Sequence, residues 1–121
     1  MSARVLIVDD NDLNRELVSQ LLEDDYTIET ACNGAEAIEA VASFEPKVVL
    51  MDLSMPVMDG WEATRRLRTN GANRGLKIIA LTAHALPDEI ERAMAAGCDG
   101  FLTKPIDDEA LIERIEELLA G

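Results

Sequence analysis

Val48-Val49-Leu50-Met51 runs into Asp52 without a polar break, and the fold turns on how this stretch is read. A short, continuous, Val-rich run suits a strand buried on both faces, the habit of parallel sheets. The same pattern recurs on either side of it. Val5-Leu6-Ile7-Val8 runs into Asp9-Asp10, Ile78-Ile79-Ala80-Leu81 into Thr82, and Gly100-Phe101-Leu102-Thr103 into Lys104-Pro105. As neighbouring parallel strands, these runs would gather three carboxylates, a hydroxyl and an ammonium at one edge of one sheet. Open α/β sheets bind their ligands at that edge.

The segments between the runs carry helical spacing. Leu13, Leu17, Leu21 and Leu22 make an apolar stripe, with Arg15, Glu16, Ser19, Gln20 and Glu23 opposite it. Thr27 to Ala31 is a weaker strand. Asn33, with Glu36 three residues on, reads as a capping box opening a helix to about Ser43, and Pro46 follows the stop. Asp59-Gly60 opens a helix to about Thr69, and Asn70 to Leu76 is a loop. Pro87 suits the first turn of a helix that Gly97 ends, and Asp107 caps a last helix reaching about Leu119. Five strands alternating with five helices imply parallel strands joined by right-handed crossovers.

The composition excludes several functions. The chain has 121 residues, enough for one domain with one core, and 48% of them are hydrophobic. Eleven basic residues against twenty-four acidic ones give a formal charge of -13, which argues against direct nucleic-acid binding. No apolar stretch reaches membrane-spanning length, and the start leaves no room for a signal peptide. A cytoplasmic protein is expected. Cys32 and Cys98 match no metal or redox spacing and read as small buried side chains.

The edge residues have a coherent chemistry. Asp9, Asp10 and Asp52 cannot all stay ionised at close range without help, so at least one pKa should rise or a cation should bind. Mg²⁺ suits such oxygen ligands, taking one or two carboxylates together with water and phosphate. With Lys104 and Thr82 nearby, the set has the parts for phosphoryl transfer, and a carboxylate can itself be the nucleophile. A lone strand-end Asp is often only a helix cap, a strand-end Thr structural and a lone Lys solvated. The joint occurrence at four strand ends is what carries weight.

Four motifs carry a family resemblance. They are Val8-Asp9-Asp10-Asn11, Met51-Asp52-Leu53-Ser54-Met55-Pro56-Val57-Met58-Asp59-Gly60, Leu81-Thr82-Ala83-His84-Ala85 and Phe101-Leu102-Thr103-Lys104-Pro105-Ile106. Over essentially its whole length, 1–121, the chain resembles the receiver domain of bacterial two-component response regulators. The resemblance implies a flavodoxin-like, doubly wound, five-stranded parallel sheet of strand order 2-1-3-4-5. It implies that Asp52 accepts a phosphoryl group from a histidine kinase or a histidine phosphotransfer protein, as an aspartyl-phosphate. Asp10, Asp52 and the backbone carbonyl of Ser54 would bind Mg²⁺ directly, and Asp9 would act through a water. Thr82 and Lys104 would engage the phosphoryl group, with Lys104-Pro105 a cis peptide. Thr82 and Phe101 would form a switch read by a downstream protein partner. Phe101 stands where the family often has Tyr, so tuning through that hydroxyl is absent. His84, the one histidine, falls at the rim of the implied site and otherwise reads as a solvent-facing loop residue.

Two other readings compete with this one. A phosphohydrolase of the haloacid dehalogenase type also uses Asp, Mg²⁺ and Lys, but it resembles Asp-x-Asp after its nucleophilic strand. Here Ser54 follows Asp52 at that spacing, and there is no cap insertion. An atypical receiver that works without phosphorylation is disfavoured by the intact acidic set, Thr82 and Lys104. The expected protein is therefore a phosphoacceptor and not an enzyme. Met1 and the absence of a linker favour a stand-alone regulator over a receiver excised from a hybrid kinase. Exposed first-helix residues such as Asn14, Arg15 and Val18 are expected to set kinase choice.

Overall fold

A computed structural model describes residues 3–55, 57–84 and 86–120; Pro56 and Ala85, both inside the motifs, lie outside this set, as does Met1. The elements follow the apolar pattern. They are β1 (Arg4–Val8), α1 (Asp12–Leu22), β2 (Thr27–Ala31), α2 (Gly34–Phe44), β3 (Val48–Asp52), α3 (Gly60–Thr69), β4 (Lys77–Thr82), α4 (Pro87–Ala96), β5 (Gly100–Thr103) and α5 (Asp108–Ala120). A short 3-10 turn over Gly71–Asn73 interrupts the loop after α3. The strands form one parallel sheet in the order β2-β1-β3-β4-β5, the flavodoxin-like arrangement.

Strand alternation divides the core into two layers. Leu6, Val8, Val49, Met51, Ile78 and Ala80 face α2, α3 and α4, packing on Ala37, Val41, Ala63, Leu67 and Ala93. Val5, Ile7, Val48, Leu50, Ile79 and Leu81 face α1 and α5, packing on Val18, Leu22, Leu111 and Ile115. Every residue of β3 is buried, as its unbroken apolar run requires. Register then sets the functional edge. Val8 pairs with Met51, so the residues that follow, Asp9 and Asp52, emerge side by side. Thr82 pairs with Thr103, so Lys104 follows one step beyond, and its N–H donates to the Thr82 carbonyl at 2.7 Å.

The helix starts obey their caps. Asn33 accepts from the Glu36 N–H at 2.9 Å, Asp59 from the Glu62 N–H at 2.9 Å, and Asp107 from the Ala110 N–H at 3.1 Å. The α2 box is not reciprocal, because Glu36 accepts from the Cys32 N–H, one residue earlier than the pattern requires. The helix α4 stops at Gly97, whose φ of 118° is one that side-chain-bearing residues avoid.

Two expectations are corrected. On α1 the buried residues are Val18 and Leu22, while Leu13 and Leu17 are 61% and 52% exposed. A stripe at four-residue intervals drifts by about 40° per step around a helix of 3.6 residues per turn. The leucine stripe therefore leaves the sheet side toward its N-terminal end, and Val18 takes the contact. Cys32 is half-buried rather than buried, and its Sγ donates to Glu36 at 3.0 Å. Cys98 is buried as expected.

Candidate functional site

The carboxyl edge of the sheet brings Asp9, Asp10 and Asp52 together, with a carboxylate oxygen of each within 4.8 Å of the others. Asp9 and Asp52 are buried at 3% and 4% exposure, whereas Asp10 is exposed. Strand β1 delivers the first pair, and β3 delivers Asp52 from the centre of the sheet. Gly60 at the start of α3 makes room for this: a Cβ there would lie 2.9 Å from the Asp52 carbonyl carbon and closer still to its oxygen. Only a residue without a side chain lets α3 begin so near the end of β3.

Lys104 enters from the loop after β5. Its Nζ lies 3.1 Å from Asp9 Oδ2 and 3.4 Å from Asp52 Oδ1. The Lys104-Pro105 peptide is cis. Asp9 is fully engaged: its Oδ1 accepts from the Asn11 N–H at 2.9 Å, and its backbone carbonyl accepts from Arg15 at 2.6 Å. Asp52 Oδ1 also accepts from the Ser54 N–H at 3.2 Å. Thr82 is buried, and its hydroxyl is tied to the loop that follows. It donates to the His84 carbonyl at 2.8 Å and accepts from the His84 N–H at 3.1 Å. The His84 residue itself is exposed.

Electrostatics mark Asp52 out. Burial pushes its carboxyl up to about 6, and the Asp9 charge adds to the rise, while Lys104 and the Ser54 N–H pull against it. Burial alone would lower the Lys104 pKa, but the charges and hydrogen bonds of Asp52 and Asp9 outweigh it and raise it. Three carboxylates against one ammonium leave the edge short of positive charge. The donor set, all oxygen with an exposed member open to solvent, fits a hard divalent ion such as Mg²⁺. That fit rests on the chemistry of the donors and on the raised Asp52.

Phe101 is half-buried and packs on the same core layer as Trp61, Met55 and Met58. The Trp61 indole N–H reaches the Glu89 carbonyl at 3.5 Å, and Arg92 lies over the ring at 4.1 Å, joining α3 to α4. Beside Asp9 and Lys104, a groove of about 770 Å³ opens between α1 and the start of α5, walled by Leu17, Val18, Leu21, Pro105 and Ile106. Sequence reading missed the Arg15 contact with Asp9, because a side chain six residues away bonding a backbone oxygen follows no spacing rule. It also missed the Thr82–His84 turn, although a Thr ahead of a loop is a usable signal for one. Val18, expected on the exposed face of α1, is buried, and Arg15 is half-buried.

Comparison with known proteins agrees with this geometry. Residues 5–116 match the response regulator receiver domain. The chain is 36% identical to Chemotaxis protein CheY of Halobacterium salinarum, with all of both chains covered. It is 40% identical to Response regulator MprA of Mycobacterium ulcerans over 98% of its own length, but spans about half (51%) of that relative. A receiver domain of a Pseudomonas aeruginosa sensor histidine kinase, with magnesium coordinated in its active-site cleft, superposes with a TM-score of 0.92 at 30% identity over 100% of both chains. The receiver of Ssk1 from Saccharomyces cerevisiae, solved with the histidine phosphotransfer protein Ypd1, gives 0.89 at 31% identity over 97% of this chain and 88% of the other. The chain belongs to the response regulator receiver family, a phosphoacceptor rather than an enzyme, with an acidic pocket whose three carboxylates could hold a metal ion.

Proposed function

We propose that Asp52 is the phosphoacceptor and that a phosphohistidine on a histidine kinase or histidine phosphotransfer protein is its donor. The observation that carries this is Asp52 itself: a buried acid at the end of the central strand, with its pKa raised, two further carboxylates within 4.8 Å and an ammonium at 3.4 Å. In the transfer, an ionised Asp52 oxygen attacks phosphorus as the phosphorus–nitrogen bond to imidazole breaks. The bonding pair of that bond leaves with the imidazole, which takes its proton from solvent. Asp10, Asp52 and the Ser54 carbonyl would hold Mg²⁺, with Asp9 behind a water, and the ion would offset charge on the phosphoryl oxygens. Lys104, already balanced between Asp9 and Asp52, turns to the phosphoryl group. The Thr82 hydroxyl gives up the His84 carbonyl for a phosphoryl oxygen. Moving that loop frees space beside Phe101 and shifts α4, where Leu86 just before the helix and Met94 on it are exposed and flank a surface for a downstream protein partner.

The groove walled by Leu17, Leu21, Pro105 and Ile106 opens next to Asp9 and Lys104, which supports docking of the donor there. The yeast receiver bound to a phosphotransfer protein supports the class of donor. The receiver unit is proposed to span 1–121, supported by the match over 5–116 and by α5 reaching Ala120. A second context, a receiver within a sensor kinase, is supported by the likeness to the receiver domain of one, as the stand-alone context is by the relative covered over its whole length. Both cysteines are free thiols, which supports the cytoplasm as the compartment, and among the described residues no helix is long and apolar enough to cross a membrane.

Acetyl phosphate with Mg²⁺ should add one phosphoryl group to the wild type and none to Asp52→Ala, read by intact-mass spectrometry. Chelation should abolish the labelling. Equal labelling of the two proteins rejects Asp52 as acceptor, and labelling in excess chelator rejects the metal.

A further inference from the structure

Asp10 is the exposed member of the acidic trio, and the peptide that joins it to Asp9 sets where it points. Three ends of Asp9 are fixed by its neighbours: its N–H by the Ala31 carbonyl at 3.1 Å, Oδ1 by the Asn11 N–H and Oδ2 by Lys104. The fourth, the carbonyl of the Asp9-Asp10 peptide, is held by a side chain, the Arg15 guanidinium at 2.6 Å. A second guanidinium nitrogen pairs with Asp12, and the Arg15 N–H donates to the Asn11 carbonyl at 3.1 Å. The Arg15 side chain is only 19% exposed, against 91% for Asp12. It is thus folded back over the β1–α1 turn, not extended into solvent.

We propose that Arg15 is a positioning residue for the cation site, holding the plane of the Asp9-Asp10 peptide so that both carboxylates present their oxygens at the spacing a divalent ion accepts. This rests on the Mg²⁺ reading of the trio. Geometry and charge make opposite demands here, which makes the idea decidable. A cation beside three carboxylates opposes metal binding, so deleting it as a mere charge should tighten Mg²⁺. Deleting it as a brace leaves the peptide carbonyl without its donor and lets the Asp10 backbone turn, which should loosen Mg²⁺.

The experiment is a Mg²⁺ titration of metal-free protein, read by calorimetry and by Trp61 fluorescence, at low and high salt. Arg15→Ala should bind Mg²⁺ about tenfold more weakly, the usual effect of removing a partner that orients a ligand. Arg15→Lys, whose ammonium can reach the same carbonyl, should recover part of that loss. The ratio between variant and wild type should persist at high salt, since screening removes charge effects and leaves geometry. If Arg15→Ala is too poorly folded to titrate, Arg15→Met takes its place, keeping the aliphatic stem but no N–H donor, and weaker binding than wild type is again expected. Unchanged or tighter binding in a folded Ala or Met variant, with normal wild-type binding, overturns the role of Arg15 alone. A wild type that binds no Mg²⁺, or Asp10→Asn binding as well as wild type, overturns the reading of the trio and this role with it.

Discussion

Asp52 is held in a form that costs the unligated protein stability. Its native pKa of about 6 lies above the unfolded value near 3.9, so the native state binds more protons between those two values. The stability that this gives is present in full below about pH 4 and is lost as pH rises through about 6. Above that, an ionised and buried Asp52 destabilises the apo protein by about 1–3 kcal/mol. Asp52→Asn should therefore be more stable than wild type at pH 7 in chelator, and the gain should vanish toward pH 4. Urea denaturation midpoints across that range check it. The acidic residues of the site were legible in the sequence because each ends an apolar run. The roles of Asn11 and Arg15 around Asp9 were not, because they depend on how one turn is folded.

At the scale of elements, α1 separates packing from recognition. Val18 is buried against the sheet side that α5 also covers, so Val18→Ala should cost about 1–3 kcal/mol through lost burial and an unfilled space. Leu17, half-exposed on the wall of the groove, should tolerate Ala within about 0.5 kcal/mol, while Leu17→Asp slows phosphotransfer from a cognate kinase. Denaturation curves and a kinase panel separate the two effects, and equal losses of stability would refute the assignment of faces. A second joint lies under α4. Arg68 of α3 donates to the carbonyls of Asn73, Leu76 and Gly97 and to Asp99, while Asp99 also accepts from the Ile78 N–H at 2.8 Å. Its removal strands half-buried carbonyls, so Arg68→Ala should lose about 2–4 kcal/mol in chemical denaturation. The element boundaries were readable from caps and stops such as Asn33, Asp59, Pro87 and Gly97, whose effect is local. The Arg68 clamp joins segments about thirty residues apart and has no local sign.

Over the whole molecule, a formal charge of -13 is spread across the chain but concentrated where three carboxylates meet one ammonium. Binding a cation there stabilises the native state, because the unfolded chain does not assemble the trio. At a hundredfold excess over Kd, Mg²⁺ should add about 2.7 kcal/mol, seen as a higher thermal midpoint, and Asp52→Asn should forfeit most of that gain. The order of elements, the parallel sheet and the identity of its reactive edge are all readable from the residues in line. Strand burial, helix caps and strand ends are written into runs of a few residues, and parallel connection follows from their alternation. Which side of α1 faces the sheet, how Thr82 is tied to His84, and the turn of Arg15 back onto Asp9 emerge only in the folded chain. Those outcomes depend on the angle at which a helix lands on its neighbours and on which backbone oxygens are left without a donor, and both are properties of the assembled layers.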